Sequence, residues 1–531
     1  MKQLFLALAL LLTLTVQAQT PTWTWLHTVA GTNTVSDVAL LPSGDFLVTG
    51  RFDNSLQLSN RLLTHTGRCL YIARLNASGQ VQQVTKVPTS NDVLPTSLAV
   101  DRNGNGYLTG AFRGTLTYGN GRISSQSLDA DDVLLLKYNA NGSIGWVRQA
   151  SSTGPDIYAS PNTGWSVAAD AAGNSYVSGA VSGATVQFGS RSFNNRQNQA
   201  FTASYTSQGA LRWVNVWDAP AGSYGSSAAR ATAVDAAGSC YVSGNFSSTL
   251  IVNGTTLLPA NFDSNLFLVR FDARTGQLRW AKATAGYGDG RSLATDAAGK
   301  IYLAESFSGS ATFGTTTLTS TGSADIFLTR YNAQGQSEWA TALGGPNYDF
   351  PTDIAVDQTT SQAYLTGSQA NSQAFITRFQ ANGQVASTTL VGGPGTSTGS
   401  SLVVDGRGNV YTAGTATGTC QFGPYATSGT ATNCYLARFG APTTTGRREV
   451  AALECTVFPN PAQGRFTLRV PASEAPQTLK ATLYNSFGRI VAQQTLRGTE
   501  AQFDISTLPS GLYVLNLEGG PEVSSQLVTV R

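Results

Sequence analysis

Apolar residues in this chain fall in short runs, not in helical stripes. VLLLKY (133–138), LFLVRF (266–271) and IFLTRY (326–331) are apolar at successive positions and rich in β-branched and aromatic side chains. That is the pattern of short strands covered on both faces. Clusters of Asp, Asn, Gly and Ser separate the runs, and no amphipathic helical stretch interrupts them. The pattern predicts an all-β chain.

A shared frame orders these runs. Asp-Ala-Ala-Gly begins at Asp170, Asp235 and Asp296, and each copy is followed by a strand-like segment with a Tyr: DAAGNSYVSG, DAAGSCYVSG, DAAGKIYLAE. Related segments open at Asp101, Asp357 and Asp405, and a degenerate one at Leu41, giving seven units about sixty residues apart. A Gly ends each copy (Gly50, Gly110, Gly179, Gly244, Gly367, Gly414), with Glu305 in that slot once. A second shared segment follows, for example VLLLKYNANGSIGW (133–146) or LFLVRFDARTGQLRW (266–280). Each unit therefore offers four strands: before the Asp, around the Tyr, in the apolar run, and around the Trp.

The recurrent turns read as folding punctuation. Asp suits the first position of a type I turn because its carboxylate accepts the backbone N–H groups just ahead, and Gly at the fourth supplies positive φ. Asp101-Arg-Asn103-Gly-Asn105 imitates the start of a calcium loop, but Phe112 stands where such a loop needs Glu. No metal is expected there.

Sheets apolar on both faces cannot bury themselves singly, whereas seven stacked about an axis can. The expectation is a seven-bladed β-propeller over residues 19–440. The seventh unit stops at CYLARFGAPTTTG without a Trp strand, while TPTWTWLHTVAG near the start resembles GQLRWAKATAG. The strand around Trp23 and Trp25 is therefore expected to complete the last blade beside Arg438, removing two open edges. A basic residue recurs in the third strand (Arg74, Lys137, Arg270, Arg330, Arg378, Arg438), with Ser204 the exception, and is expected to pair with the turn Asp residues. These units resemble the SBBP-type β-propeller repeat of secreted bacterial proteins, whose pattern joins "AVD-x-x-GN-x-Y-x-TG" to "D-x-F-x-x-(R/K)-Y-x-x-x-G…W". DARTGQLRW (272–280) also looks like the Trp-docking segment of quinone-dependent dehydrogenase propellers. The chain has no adjacent Cys pair and no calcium cage of that kind, so no cofactor is expected.

After Gly440 the pattern breaks into a Thr/Pro/charged linker, 441–454. Alternating strands with Pro, Asn and Gly turns then predict a small Ig-like β-sandwich over 455–531. Pro459-Asn460-Pro461, Gly464, Phe466, Gly488-Arg489 and Leu508-Pro-Ser-Gly511-Leu-Tyr513 resemble the C-terminal sorting domain (type A) carried by cargo of the type IX secretion system. Gln526 stands where that family usually has Lys. The resemblance implies docking on the outer-membrane secretion machinery, removal of the domain by a cut in the linker, and a final location outside the cell or on its surface.

Composition agrees with export. Charged residues make up 12% of the 531, and the net charge of +3 shows no basic cluster beyond Arg447-Arg448, so nucleic acid is not an expected partner. Lys2 followed by a thirteen-residue apolar run, Leu4 to Val16, reads as a signal peptide cleaved after Ala18 (1–18), leaving no membrane span in the mature chain. Of five Cys, Cys420 and Cys434 flank one hairpin and either bridge it or stand as separate small apolar residues.

Candidate chemistry is sparse. His27 and His65 have no evident partner, and no nucleophile elbow, phosphate loop or zinc spacing occurs. Acidic residues outside the repeat slots are Asp129, Asp131, Asp132, Asp289, Asp349 and Asp353. Glu305, in its Gly slot, either points into a central channel or sits on a widened turn. The loops leading into successive units carry Tyr158, Tyr224, Tyr287 and Tyr348. They form either an aromatic binding rim for sugars or peptides, or caps on the core between blades. The sequence thus predicts a secreted or cell-surface binding and scaffold propeller in preference to an enzyme. The alternative is a secreted polysaccharide hydrolase or lyase with carboxylates at the channel mouth.

Overall fold

The computed structural model describes residues 21–29, 33–127, 130–153, 162–194, 198–219, 225–259, 265–284, 286–369, 372–429, 431–440, 455–470, 479–485, 489–496, 498–519 and 522–531. The expected signal segment, Asp129, Tyr158, Tyr224, the linker and Gly488 lie outside them. All regular elements among the described residues are strands, and no helix there is long and apolar enough to cross a membrane. The chain divides into two compact units, 1–442 and 443–531.

In the first unit each repeat builds an antiparallel sheet. The first runs Asp37–Leu40, Phe46–Leu58, Arg61–Leu75, Val81–Pro88, and the fourth Ser227–Val234, Ser239–Phe246, Asn265–Asp272, Leu278–Thr284. The seventh sheet takes three strands from its own repeat, Thr396–Val404, Val410–Thr417 and Thr432–Gly440. Its fourth is Thr22–Val29, which pairs antiparallel with Thr432–Gly440 and sets Trp25 opposite Arg438. Apolar side chains from neighbouring sheets fuse into shared cores. Phe46 and Tyr71 of the first sheet lie in one cluster with Tyr411 and Leu436 of the seventh, and Tyr364 and Ile376 of the sixth join Trp23 and Leu402 of the seventh. Burial on both faces is what the uninterrupted apolar runs require.

The Asp turns close as their residue types dictate. The Asp101 carboxylate accepts the Asn103 and Asn105 N–H groups at 2.8 and 2.9 Å, and Gly104 has φ of 79°. Asp170, Asp296 and Asp405 repeat the geometry. The Gly that ends each copy answers a different need. A Cβ at Gly110, Gly179 or Gly244 would lie 2.0 Å from a carbonyl oxygen of the adjoining inner strand. The sequence frame did not reveal the short outer hairpins between second and third strands, such as Thr115–Tyr118 with Gly121–Ser124 and Ser310–Phe313 with Thr316–Thr319. Gly119 and Gly314, at φ of 53° and 62°, turn them.

Successive sheets are locked by the repeat's aromatic and basic residues. Trp146, Trp213 and Trp280 each donate Nε1–H to a carbonyl in the second turn of the next unit (Ser207, Ala273, Ala333) at 3.0 Å and lie over that turn's Gly. Trp25 does the same to Ala77 at 3.1 Å, over Gly79. The expected pairing of the basic residues with turn Asp is not seen among the described residues; Arg74, whose unit has Leu41 at the turn position, bridges Asp45 instead at 2.7 Å. At Asp101, Asp170, Asp235 and Asp296 the turn Asp is already occupied, because it accepts the repeat Tyr hydroxyl (Tyr176 to Asp170, 2.9 Å; Tyr241 to Asp235, 3.0 Å). The cation instead lies over that Tyr ring and donates to the next unit's turn, as Arg270 does over Tyr241 to Ala333 O at 2.9 Å. Where Ser204 interrupts the series, Arg212 from the adjoining strand takes the place, bonding Tyr176, Ser204 and Ala273 O.

All five cysteines are free thiols, so the Cys420–Cys434 bridge is not formed. Cys420 belongs to the core between the sixth and seventh sheets, whereas Cys434 packs on the core shared by the seventh and first.

The second unit has two antiparallel groups, Thr456–Gln463 with Arg465–Arg469 and Glu500–Asp504, and Ile490–Leu496 with Leu479–Tyr484, Gly511–Gly519 and Glu522–Val530. A single parallel pair, Ala462 with Val530, joins them. Phe466, Leu468 and Phe503 of one group share a core with Leu483, Tyr513 and Leu515 of the other.

Candidate functional site

The inner strands of the first unit pack on one another in succession, and Asp37–Leu40 packs on both Asp92–Val100 and Thr396–Val404. They surround a cavity of about 470 Å³ lined by residues from all seven sheets. A register irregularity aims the lining side chains. The inner strand skips one residue against its neighbour at Thr96, Trp165, Arg230, Thr352 and Ser400. A bulged residue is re-aimed away from the ladder, and each of these faces the cavity.

The next position on each strand forms a belt of hydrogen bonds around the cavity. It stands four residues ahead of the turn position in every unit: Asp37, Ser97, Ser166, Ala231, Ser292, Asp353, Ser401. Asp37 accepts the Leu98 N–H at 2.6 Å, Ser97 the Val167 N–H at 3.2 Å, and Ser166 the Thr232 N–H at 3.0 Å. Asp353 accepts the Leu402 N–H at 2.8 Å and Ser401 the Val38 N–H at 3.3 Å, so the belt passes from the seventh sheet to the first. It is interrupted at Ala231, which has no side-chain acceptor, and at Ser292, whose buried hydroxyl has no partner among the described residues.

Ser401 sits between the two carboxylates. Its hydroxyl donates to Asp37 at 2.5 Å. Burial pushes the Asp37 carboxyl up to about 6. Burial, followed by the charge of Asp37, pushes Asp353 to about 8. Each carboxylate is also tied to its own strand, through the Val38 and Ile354 N–H groups, both at 2.8 Å.

The interrupted side carries the cations. The Arg230 guanidinium lies 4.1 Å from the Trp165 ring centroid and Arg291 lies 5.6 Å from it. Glu305, in the slot that is otherwise Gly, is buried and accepts the Arg291 N–H at 2.6 Å. The strand opposite makes room through glycine: a Cβ at Gly288 would lie 2.6 Å from Glu305 Oε2.

The residues singled out in the sequence are dispersed. Tyr348 is 52% exposed and stands 5.8 Å from Phe350; Tyr287 begins the strand that carries Arg291. His27 bonds Ser59 at 3.4 Å beside Trp25, and burial lowers its pKa. Asp131 pairs with Arg113, while Asp132 and Asp349 accept the Gln126 and Gly345 N–H groups. Among the flagged acids whose side chains are described, Asp353 alone carries its carboxyl to the cavity; Asp37, Trp165, Arg230 and Arg291 were missed. Aligning the units on the turn Asp and reading four and five residues upstream would have found them. Among the described residues no group of three or more His, Cys, Asp or Glu could hold a metal ion.

In the second unit Asn460 ties its strand to the last one, donating to Leu527 O at 2.7 Å and accepting the Thr529 N–H at 2.9 Å. Pro459 and Pro461 flank it, and Gly464 turns the hairpin at φ of 73°. Tyr513 donates to Pro509 O at 2.8 Å, Gly511 pairs with Val530, and the Arg489 N–H meets Asn485 Oδ1 at 3.0 Å. These groups hold the small fold together.

Residues 456–531 match the secretion system C-terminal sorting domain, and residues 338–368 and 388–419 match the SBBP β-propeller repeat. The sorting domain implies secretion through the type IX system. Among solved structures, the chain is similar to PorZ, an essential bacterial surface component of the type IX secretion system of Porphyromonas gingivalis. The identity is 11%, with 95% of this chain and 100% of that one covered, and the TM-score is 0.23. It is also similar to a chain of the mitotic checkpoint complex (9% identity, 79% and 95% covered, TM-score 0.39). A europium-containing methanol dehydrogenase gives 11% identity, 80% and 94% covered, and a TM-score of 0.31. No curated protein matches the chain.

Proposed function

We propose that this chain, built of SBBP β-propeller repeats and a type IX sorting domain, is a binding and scaffold protein of the outer cell surface. Its first unit is a seven-bladed propeller closed by Thr22–Val29, and its second an Ig-like sandwich that docks on the secretion machinery through the Pro459–Pro461 and Gly511–Tyr513 face. The shared core of the first and seventh sheets supports closure, as do the belt bond from Ser401 to Val38 and the Trp25 bond to Ala77.

One observation carries the choice of binding over catalysis. Asp37 and Asp353, the carboxyl pair at the cavity, are both engaged by backbone N–H groups of their own and neighbouring sheets. A hydrolytic acid or nucleophile needs a carboxyl oxygen aimed at the substrate; these oxygens hold sheets together. Their raised pKa values favour the alternative of a polysaccharide hydrolase or lyase only as far as protonation state goes. Tyr287 opens the inner strand Tyr287–Thr295 and Tyr348 stands just ahead of the inner strand Phe350–Val356, both of which line the cavity, and Tyr158 and Tyr224 precede the corresponding strands in sequence, which supports a ligand entering from that side.

The test presents the purified secreted chain to arrays of glycans and surface proteins and assays the same glycans for cleavage. Saturable retention of an unaltered ligand is expected. Release of reducing or unsaturated ends that Asp353→Asn abolishes would replace this reading with the enzymatic one. Deleting 456–531 is expected to leave the chain in the periplasm, and surface display of the truncated chain would remove the sorting role.

A further inference from the structure

Six of the seven sheets in the first unit carry an outer hairpin between their second and third strands, and the sixth does not. Its second strand, Ala363–Gln369, turns straight into Gln373–Phe379, with Gln369 opposite Gln373. The hairpins share a seat. Those of the second, third, fourth and seventh sheets pair with the chain that leaves the outer strand of the sheet before: Leu116 with Thr89, Thr185–Phe188 with Ala150–Thr153, Ile251 with Asp218, and Gln421 with Gly392. Asp218 and Gly392 each exchange two backbone bonds there, at 2.7–3.0 Å. The same hairpins drive apolar side chains between sheets. Leu116 shares a core with Val87, Phe188 with Ala150, Val252 with Trp217 and Phe422 with Val391.

The fifth sheet presents this seat with no hairpin over it. Ala200, Ile326 and Ala374 each stand four residues ahead of the basic slot of the third strand (Ser204, Arg330, Arg378). They face Trp217, Leu343 and Val391, so the residue after each of these, Asp218, Gly344 and Gly392, holds one position of the repeat. Gly344 has no backbone partner among the described residues. Beside it is a cavity of about 310 Å³, lined also by Leu343, Pro346, Gln369, Thr388 and Leu390. Gln369 Oε1 is buried with no hydrogen-bond partner among the described residues, and Leu390 is 39% exposed. The seat is preformed: the Asp349 N–H bonds Ala324 O at 2.9 Å, and the Asp349 carboxylate accepts the Gly345 N–H at 2.8 Å. Among the described residues no Lys, Arg or His lines the cavity, so an anionic ligand meets no counter-charge. An open backbone edge beside an apolar wall suits an added strand, whose main chain supplies affinity and whose alternate side chains supply specificity.

We infer that this groove between the fifth and sixth sheets binds an extended, uncharged segment of a partner polypeptide. The segment adds as a strand, exchanges backbone bonds with Gly344, and seats an aromatic or branched apolar side chain between Leu343 and Leu390. Peptide backbone is what covers the same position on the neighbouring sheets. The groove lies on the outer strands, apart from the cavity among the inner strands, and is a second site.

Fluorescence anisotropy of the full secreted chain with labelled peptides copied from its own hairpins, residues 115–124, 185–194, 250–257 and 310–319, tests this. Saturable one-to-one binding of at least one peptide is expected. Replacing its buried apolar residue, as in Phe188→Ser of the 185–194 peptide, is expected to weaken binding at least about tenfold. Leu390→Glu in the full chain is expected to do the same while leaving the melting temperature unchanged. Grafting residues 310–319 in place of 370–372, which gives the sixth sheet a hairpin, is expected to abolish binding and raise the melting temperature. Binding of none of the four peptides, or undiminished binding to either folded variant, overturns the assignment. A parent chain that sediments as a dimer, and as a monomer once the hairpin is grafted, gives the groove to a second copy and overturns it too.

Discussion

Replacing Trp25 with Ala tests the tie between the two ends of the repeat array. The indole donates to Ala77 O at 3.1 Å, stacks on Phe46 at 6.0 Å and covers Gly79. Truncation removes one hydrogen bond, worth about 1 kcal/mol net. It also removes a half-buried ring whose burial contributes about 2 kcal/mol. The expected loss is therefore about 3 kcal/mol. Trp280→Ala is the matched control, since that indole makes the same bond to Ala333 at 3.0 Å over Gly335. The two differ in one respect: Trp25 reaches the first sheet from a sheet otherwise made of residues 396–440. Guanidinium unfolding followed by far-UV circular dichroism should show both midpoints falling by about 0.5 M, given slopes near the upper end for guanidinium. If Trp280→Ala shows that fall and Trp25→Ala unfolds like the parent, the first and seventh sheets are not held together in solution. The reasoning on closure would then be refuted.

Two further outcomes follow from the repeat and the cavity. Asp37 and Asp353 are raised to about 6 and about 8, so the folded chain keeps protons that the unfolded chain releases above about pH 4. Stability should fall as pH climbs from about 4 to about 8 and then level. Asp353→Asn should gain about 1–2 kcal/mol at pH 8, after discounting for partial solvent screening, and nothing at pH 4; urea melts at the two pH values check it. In Gly276→Ala, the new Cβ would lie 2.5 Å from Trp213 at φ of +71°, whereas Gly238, at φ of +81°, has nothing within 4 Å. Gly276→Ala should cost at least about 1 kcal/mol more than Gly238→Ala by thermal melting, the excess measuring the inter-sheet contact apart from backbone strain.

Local chemistry was legible in the sequence, and contacts between units much less so. Asp101 and Gly104 announce their turn because both act within a few residues. The Thr22–Val29 strand was recognisable because it repeats the Trp strand of other units. The partners of the basic residues were misjudged, since Arg270 and Asp235 belong to one repeat while the preferred acceptor, Ala333 O, belongs to the next. The belt escaped notice for a related reason. Ser97, Ser166 and Ser401 are unremarkable polar residues on short strands, and their roles emerge only when a bulge sets them against the N–H of another sheet. Glu305 stood out by breaking the Gly frame, but its counterpart, the glycine-rich opposing strand at Gly288, had no frame to break.

The pairing of Thr22–Val29 with Thr432–Gly440 also has a bearing on how the protein is made. A chain synthesised from its amino end produces that strand first and its neighbour some four hundred residues later. Trp23 and Leu26 stay without their packing partners throughout, so the earliest segment serves as a latch set only when the last repeat arrives. A fusion placed directly ahead of Thr22 would load that latch, whereas the same cargo inserted at the outer hairpin tip near Gly314 would leave it clear.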